Sequence, residues 1–200
     1  LMTRPYHSIF CAETAHIYVD ECGSPVKMTG CQIRPIATPD GKLTPELMQP
    51  YLHDFGDQHH SQPRALYISQ CTELGTIYTP EELKRLTDFA HLNGMYVHMD
   101  GARIANACAA LNLSLKELTV DCGVDILSFG GTKNGLMMGE CVIVFNKDLQ
   151  SEARFIRKQS AQLASKMRYL SCQFTAYLTD NLWLKNANHA NEVGGQAVLG

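Results

Sequence analysis

The stretch from Val97 to Glu140 constrains the fold more than any other part of the chain. It is framed by two short, largely apolar runs, Met95-Tyr96-Val97-His98-Met99 and Asp125-Ile126-Leu127-Ser128-Phe129, with glycine at or near their ends. Buried parallel strands read this way because both of their faces are covered. The first run delivers Asp100, followed by Gly101-Ala102-Arg103, and the second leads into the turn Gly130-Gly131-Thr132-Lys133-Asn134-Gly135. In open α/β sheets ligands bind beyond the carboxyl ends of the strands, so an acid and a lysine stand where a ligand would lie.

The rest of the chain supplies a matching scaffold. Ser8 to Glu13 reads as a strand, followed by a polar turn in which His16 and Asp20 would share a face if it were helical. On the residues alone, this is a capped helix start with solvated acids. Pro39-Asp40-Gly41 forms a turn, and Thr44-Pro45-Glu46 starts a helix with Leu47, Met48, Tyr51 and Leu52 on its apolar face. His53, His59 and His60 read as solvated loop histidines. Ala65 to Ser69 is a strand, and Glu73 lies in the loop at its carboxyl end, a place where acids serve sites or merely meet water.

Thr79-Pro80-Glu81-Glu82 starts a helix with Leu83, Leu86, Phe89 and Ala90 on its buried side and Asn93-Gly94 at its end. This makes a strand-helix-strand unit, which right-handed crossovers render parallel. The small, apolar run from Ala102 to Leu111 reads as a helix packed closely on the sheet, with Arg103 at its start calling for an anionic partner. Ser114 to Glu117 reads as a short capped helix, and Cys141 to Phe145 as a strand pairing back on the sheet. Asp148 to about Ala190 reads as a long helix, broken near Ser160, of the kind that leads toward a second domain or a subunit interface. The expected class is α/β, a mostly parallel sheet with helices on both faces.

Composition excludes several functions. The chain has 200 residues and a net charge of -3, without the basic runs of a nucleic-acid binder. No apolar stretch is long enough to span a membrane, and the first residues do not form a signal peptide. Eight cysteines lie scattered without a C-x-x-C pair, so metal spacing is absent and they read as reduced core residues of a cytoplasmic protein. The ends, Leu1 ahead of Met2 and Gly194 to Gly200, read as a fragment of a longer chain.

An amine for a Schiff base and a carboxylate for a ring nitrogen are what pyridoxal 5'-phosphate requires, together with hydroxyls and backbone donors for its phosphate. Lys133 supplies the first and Asp100 the second, while Ser128, Thr132 and the glycine turn supply part of the third. Taken singly, Lys133 also reads as a surface lysine and Asp100 as a helix cap. A P-loop is set aside, since Gly-Gly-Thr-Lys-Asn-Gly lacks the spacing of G-x-x-x-x-G-K-[ST].

Three words in order, Glu13-Thr-Ala-His-Ile-Tyr-Val-Asp-Glu-Cys-Gly23, His98-Met-Asp-Gly-Ala-Arg-Ile104 and Ser128-Phe-Gly-Gly-Thr-Lys-Asn-Gly135, resemble the L-threonine aldolases of the β-eliminating lyase group. The resemblance covers nearly the whole chain and weakens after about Arg168. It implies a fold-type I large domain truncated at both ends, with residues 1–150 binding pyridoxal phosphate and 151–200 leading toward a small domain. It also implies cleavage of L-threonine or L-allo-threonine to glycine and acetaldehyde, in a homotetramer or homodimer.

By the same resemblance Lys133 matches the Schiff-base lysine, Asp100 the partner of the pyridine nitrogen and Arg103 an arginine near the ring. His16 matches the histidine that stacks on the ring and has been considered a base, with Asp20 beside it. Arg168, and more weakly Lys158, matches a basic residue near the site. Where one branch of the family has a second active-site histidine, this chain has Glu73, which leaves the group that deprotonates the hydroxyl open. The family's phosphate loop and carboxylate-binding arginine would lie before Leu1 and after Gly200. A β-eliminating lyase acting on an aromatic or sulfur amino acid, and a cofactor-binding fragment without turnover, are the alternative readings.

Overall fold

The computed structural model describes residues 1–199, with side chains described for residues 1–195. Six strands, β1 (His7–Ala12), β2 (Gln32–Ile36), β3 (Gln62–Ser69), β4 (Tyr96–Gly101), β5 (Ile126–Gly130) and β6 (Glu140–Val144), form one sheet in the order β2-β1-β3-β4-β5-β6. All neighbours pair parallel except β5 and β6. The helices are α1 (His16–Val19), α2 (Ser24–Thr29), α3 (Pro45–Met48), α4 (Pro80–Leu92), α5 (Ile104–Leu111), α6 (Lys147–Gln159), α7 (Arg168–Leu178) and α8 (Leu182–Leu199). The mostly parallel α/β architecture agrees with the sequence reading.

Local chemistry explains the helix that joins β3 to β4. Thr79 Oγ1 accepts from the Glu82 N–H, and the Glu82 carboxylate accepts from the Thr79 N–H at 2.8 Å, a reciprocal cap on α4. Leu83, Leu86, Thr87 and Ala90 are its buried face, with Phe89 half-buried. β4 differs from the expected strand buried on both sides. Val97, Met99 and Gly101 are buried while Tyr96, His98 and Asp100 are half-buried, because polar residues alternate with apolar ones at the period of the pleat.

Three helix expectations are corrected. α3 ends at Met48 and continues as a 3₁₀ turn over Gln49–Asp54, where Pro50 has no N–H for an α-helical bond. Ser114 to Glu117 forms turns rather than a helix. The Glu117 carboxylate takes both the N–H and the hydroxyl of Ser114, and a single bond of helical spacing, Leu118 N–H to Ser114 O, follows. The helix expected from Asp148 breaks near Ser160 as read, with Ala161 and Lys166 at left-handed φ, and breaks a second time where Asp180 and Asn181 adopt it, so three helices result. Asp and Asn tolerate that conformation better than most residues, and the second of the two breaks uses them.

No pair of cysteines is bridged. Cys11, Cys31, Cys108 and Cys122 are buried, whereas Cys22 and Cys172 are exposed and so lie outside the expected core set, one in a turn and the other on the outer face of α7. Tyr177, Trp183 and Ala187 join the same core as the sheet, so α7 and α8 pack on it. Among the described residues no helix is long and apolar enough to cross a membrane.

Candidate active site

The strand order reverses between β1 and β3, with His16 and Glu73 following those two strands and Asp100 and Lys133 at the carboxyl ends of β4 and β5. His16 starts α1 directly after β1, and Glu73 lies in the loop after β3. The Glu73 carboxylate bridges the two, accepting from the His16 N–H at 2.9 Å and from the Ser69 hydroxyl at 2.8 Å. It is half-buried and holds the start of α1, which the solvated-loop reading did not anticipate. His16 presents Nδ1 to Asp20 at 3.3 Å and Nε2 to Glu21 at 3.1 Å, so both ring nitrogens face carboxylates.

Asp100 is the last residue but one of β4. Its Oδ1 accepts from the Ala102 N–H at 2.9 Å and its Oδ2 from the Tyr67 hydroxyl at 2.5 Å. Asp100 pairs in register with Ser128 of β5, and the Ser128 hydroxyl meets His98 Nε2 at 3.0 Å. Burial, working against the pull of Asp100, pushes His98 down to about 4, so the imidazole is neutral near pH 7.

Lys133 follows β5 in the 3₁₀ turn Thr132–Asn134 and is exposed. Among the described residues no acid forms an ion pair with it. Two glycines let its turn sit tightly. A Cβ at Gly130 would lie 2.5 Å from Ala102 Cα, so β5 ends in backbone contact with the loop that carries Asp100 and Arg103. A Cβ at Gly131 would lie 2.8 Å from the Gly139 carbonyl oxygen. The next residue, Asn134, is buried, and its amide donates to the Tyr177 hydroxyl and to the Trp183 carbonyl.

The N–H groups of Gly131 and Thr132 both donate to the Glu140 carboxylate at 3.2 Å, and the Thr132 hydroxyl donates to the Gly139 carbonyl. These groups, read in the sequence as phosphate donors, are thus engaged within the turn. Arg103 is the N-cap residue of α5 and is exposed, without an acidic partner among the described residues. Arg168 starts α7, exposed and with its guanidinium over the Tyr169 ring, and no hydrogen bond or ion pair joins it to the other candidates. Lys158 lies on the exposed side of α6. No cluster of His, Cys, Asp or Glu among the described residues suits a metal ion.

Comparison with known proteins gives the family. A family model described as "Beta-eliminating lyase" matches residues 1–196. The chain belongs to the beta-eliminating lyase family. It is 44% identical over 191 residues to a low specificity L-threonine aldolase of Pseudomonas aeruginosa, covering 95% of this chain and 55% of that one. A second such aldolase, from Pseudomonas sp., is 43% identical with the same coverage. Among solved structures, a threonine aldolase of Leishmania major superposes with a TM-score of 0.90 at 32% identity, over 97% of this chain and 56% of that one. The chain therefore spans about half the length of the curated relatives it matches.

Within this family frame, three residues that sequence reasoning passed over belong to the site's framework: Tyr67 on Asp100, Asn134 behind Lys133, and Glu140 across the glycine turn. Tyr67 carried a signal, since a hydroxyl inside a buried strand needs a partner. The donor set fits the pyridine ring and the aldehyde of pyridoxal phosphate, while the turn's phosphate donors are engaged with Glu140 and Gly139. It offers a carboxylate fixed by two neutral donors, an accessible amine on a constrained turn, and an unpaired arginine between them in sequence. Cys11, also at this end of β1, is no competing nucleophile, because burial and then Glu73 push its thiol up to about 12.

Proposed function

We propose that this chain is the cofactor-binding part of a pyridoxal-phosphate-dependent aldehyde-lyase that cleaves L-threonine or L-allo-threonine to glycine and acetaldehyde. The observation that carries the reading is the placement of Asp100 and Lys133 at the ends of adjacent strands, with Gly130 against Ala102 closing the gap between their loops. The names of the relatives support the same reaction.

Pyridoxal phosphate, when bound, supplies an electron sink for the pair left on Cα when the Cα–Cβ bond breaks. The residues would divide the remaining work. Lys133 presents its amine from a turn held by Asn134 and Glu140. Asp100, held by two neutral donors, accepts a hydrogen bond from a protonated ring nitrogen. His16, flanked by Asp20 and Glu21, takes the proton of the substrate's β-hydroxyl as the aldehyde carbonyl forms, and a proton returned to Cα completes glycine. Arg103 offsets negative charge near the ring, and Glu73 fixes the segment that bears His16. Arg168 is retained as a substrate-binding residue, with Ser128 and Thr132 contributing to cofactor binding. Holding the reacting bond in a productive orientation is the protein's main contribution.

In this reading residues 1–150 form the cofactor-binding portion, and 151–200 lead on toward a further domain. The full protein is a cytoplasmic homotetramer or homodimer acting on a small amino acid.

The test is an absorbance spectrum of the full-length protein with pyridoxal phosphate, before and after borohydride, for the wild type and Lys133→Ala. The expected result is a visible band in the wild type, fixed by borohydride as a covalent adduct on Lys133, absent in the variant, and accompanied by release of acetaldehyde from threonine. Absence of the band in the wild type overturns the cofactor reading. Pyruvate and ammonia from an aromatic or sulfur amino acid, with no aldehyde released from threonine, would instead favour a β-elimination, in keeping with the family's description.

A further inference from the structure

We infer that Tyr67 is a positioning residue for Asp100, holding its carboxylate in the orientation that receives a hydrogen bond from a cofactor ring nitrogen. The inference rests on the pyridoxal reading and goes beyond it, to a residue on a neighbouring strand that no sequence motif marks.

The geometry comes from strand register. In the β3–β4 pairing, Tyr67 stands opposite His98 and Ser69 opposite Asp100, so Tyr67 reaches Asp100 diagonally along one face of the sheet. Its hydroxyl lies 2.5 Å from Asp100 Oδ2 while the Ala102 N–H holds Oδ1 at 2.9 Å. The carboxylate is thus gripped by one donor from its own loop and one from β3, and it cannot turn without breaking a bond. Tyr67 is 6% exposed and its ring tilts against His98 with centroids 5.3 Å apart, so the hydroxyl is itself fixed.

Charge makes the role specific. Burial and the neighbouring carboxylate push the Tyr67 hydroxyl far above its ordinary range, so it remains a donor at any working pH and never supplies an anion. His98, beside it, is neutral near pH 7 and its Nε2 is engaged with Ser128. Among the described residues, no lysine, arginine or histidine forms an ion pair with Asp100. The carboxylate therefore meets neutral donors from the protein and leaves its charge for a cation that arrives with a ligand. Held by Tyr67 and the Ala102 N–H, the carboxylate keeps one orientation toward a ring nitrogen, and an anion fixed there favours the protonated ring that the electron sink needs.

The test uses the full-length protein loaded with pyridoxal phosphate labelled with ¹⁵N in the ring, comparing wild type with Tyr67→Phe. The expected outcome is a ring-nitrogen resonance at the protonated position in the wild type and displaced toward the neutral position in Tyr67→Phe. The cofactor's dissociation constant should rise about tenfold, as for one lost hydrogen bond to a charged group, and kcat should fall with KM little changed. Incorporating 3-fluorotyrosine at position 67 keeps the ring and the hydroxyl but makes a stronger donor, and it should not displace the resonance toward the neutral position. This second form covers the case in which Tyr67→Phe fails to fold. An unmoved resonance together with a dissociation constant within twofold of wild type in a folded Tyr67→Phe would overturn the inference, leaving Tyr67 a packing residue. If the wild type itself shows no visible cofactor band, it is the pyridoxal reading that falls, and the inference with it.

Discussion

Asn134 Nδ2 donates to the Trp183 carbonyl oxygen across 2.8 Å, which fastens the residue next to Lys133 to the start of α8. The same amide reaches the Tyr177 hydroxyl at 2.5 Å, and the Asn134 carbonyl accepts from Asn186 at 2.9 Å. α8 is tied further to α5 by Asn106 and Asn191, which exchange hydrogen bonds at 3.0 Å each way. The helices beyond β6 therefore help fix the lysine turn.

Asn134→Ala removes an amide that two buried acceptors depend on. Leaving such groups unpaired costs about 1–3 kcal/mol, and in a chain of this size each kcal/mol moves the thermal midpoint by roughly 2–4 °C. A fall of that order is expected in a melting curve, together with weaker cofactor binding. An unchanged midpoint would mean that the turn is held from the sheet side alone.

The contact between His91 and Asp125 predicts a pH dependence. His91 Nε2 lies 2.9 Å from Asp125 Oδ2, and the hydrogen bond raises the histidine above its ordinary 6.5 against the effect of burial. Burial works against the charge of Asp125, but bonds from His91, Asn146 and the Val97 N–H outweigh it and hold the carboxyl below its ordinary 3.8. The histidine's contribution is complete below its unfolded value and is lost as pH rises through the higher folded one. The aspartate's contribution is present above its unfolded value and is lost as pH falls through the lower folded one. His91→Gln should therefore lower the urea midpoint most between about pH 4 and 6.5 and progressively less above neutrality. Because His91 is 39% exposed, the effect after solvent screening should stay within about 1 kcal/mol. A difference that grows with pH above 7 would contradict the pairing.

How much of this was legible in the sequence depends on how local each cause is. The cap at Thr79 and Glu82 and the glycines around Lys133 act within a few residues, and they could be read directly. Asp100 and Lys133 could be placed at strand ends because each follows its own apolar run. Tyr67 with Asp100 could not, since the contact exists only once β3 and β4 adopt one register. The histidine loop shows the same limit. His53 and His60 are exposed as read, yet they stand 3.2 and 3.5 Å from Asp54, which is buried 2.6 Å from Arg34 of β2. Nothing local marks Asp54 as buried, because its burial is decided by the strand it packs on.

Two glycines should respond in opposite directions. At Gly130 an added Cβ meets the backbone of Ala102 at 2.5–2.8 Å, so Gly130→Ala forces β5 and the Asp100 loop apart. Overpacking of this kind costs about 1–3 kcal/mol, and cofactor affinity should fall with stability. At Gly194, inside α8, a Cβ meets nothing within 4 Å. Gly194→Ala should stabilise by about 0.5–1 kcal/mol through helix propensity. Parallel melting curves decide the matter, and equal effects at both positions would refute the close approach of β5 to Ala102.

Glu140 should govern the local stability of the lysine turn more than that of the whole fold. Its carboxylate accepts from two successive N–H groups, Gly131 and Thr132, at 3.2 Å, and it is exposed, so water can replace it when it is removed. Glu140→Ala is therefore expected to change the global unfolding free energy by less than about 1 kcal/mol. The same change should open the turn, because the two amides lose the acceptor that orders them on one side while Asn134 still anchors the other. Amide hydrogen exchange measures this directly, with protection at Gly131 and Thr132 falling several-fold and protection in β4 unchanged. Glu140→Gln, which keeps one acceptor oxygen but turns a donating amide NH₂ toward the second N–H, should fall between. If both amides keep their protection in Glu140→Ala, the turn is held by Asn134 and the contact of Gly131 with Gly139 alone, and Glu140 has no part in presenting Lys133.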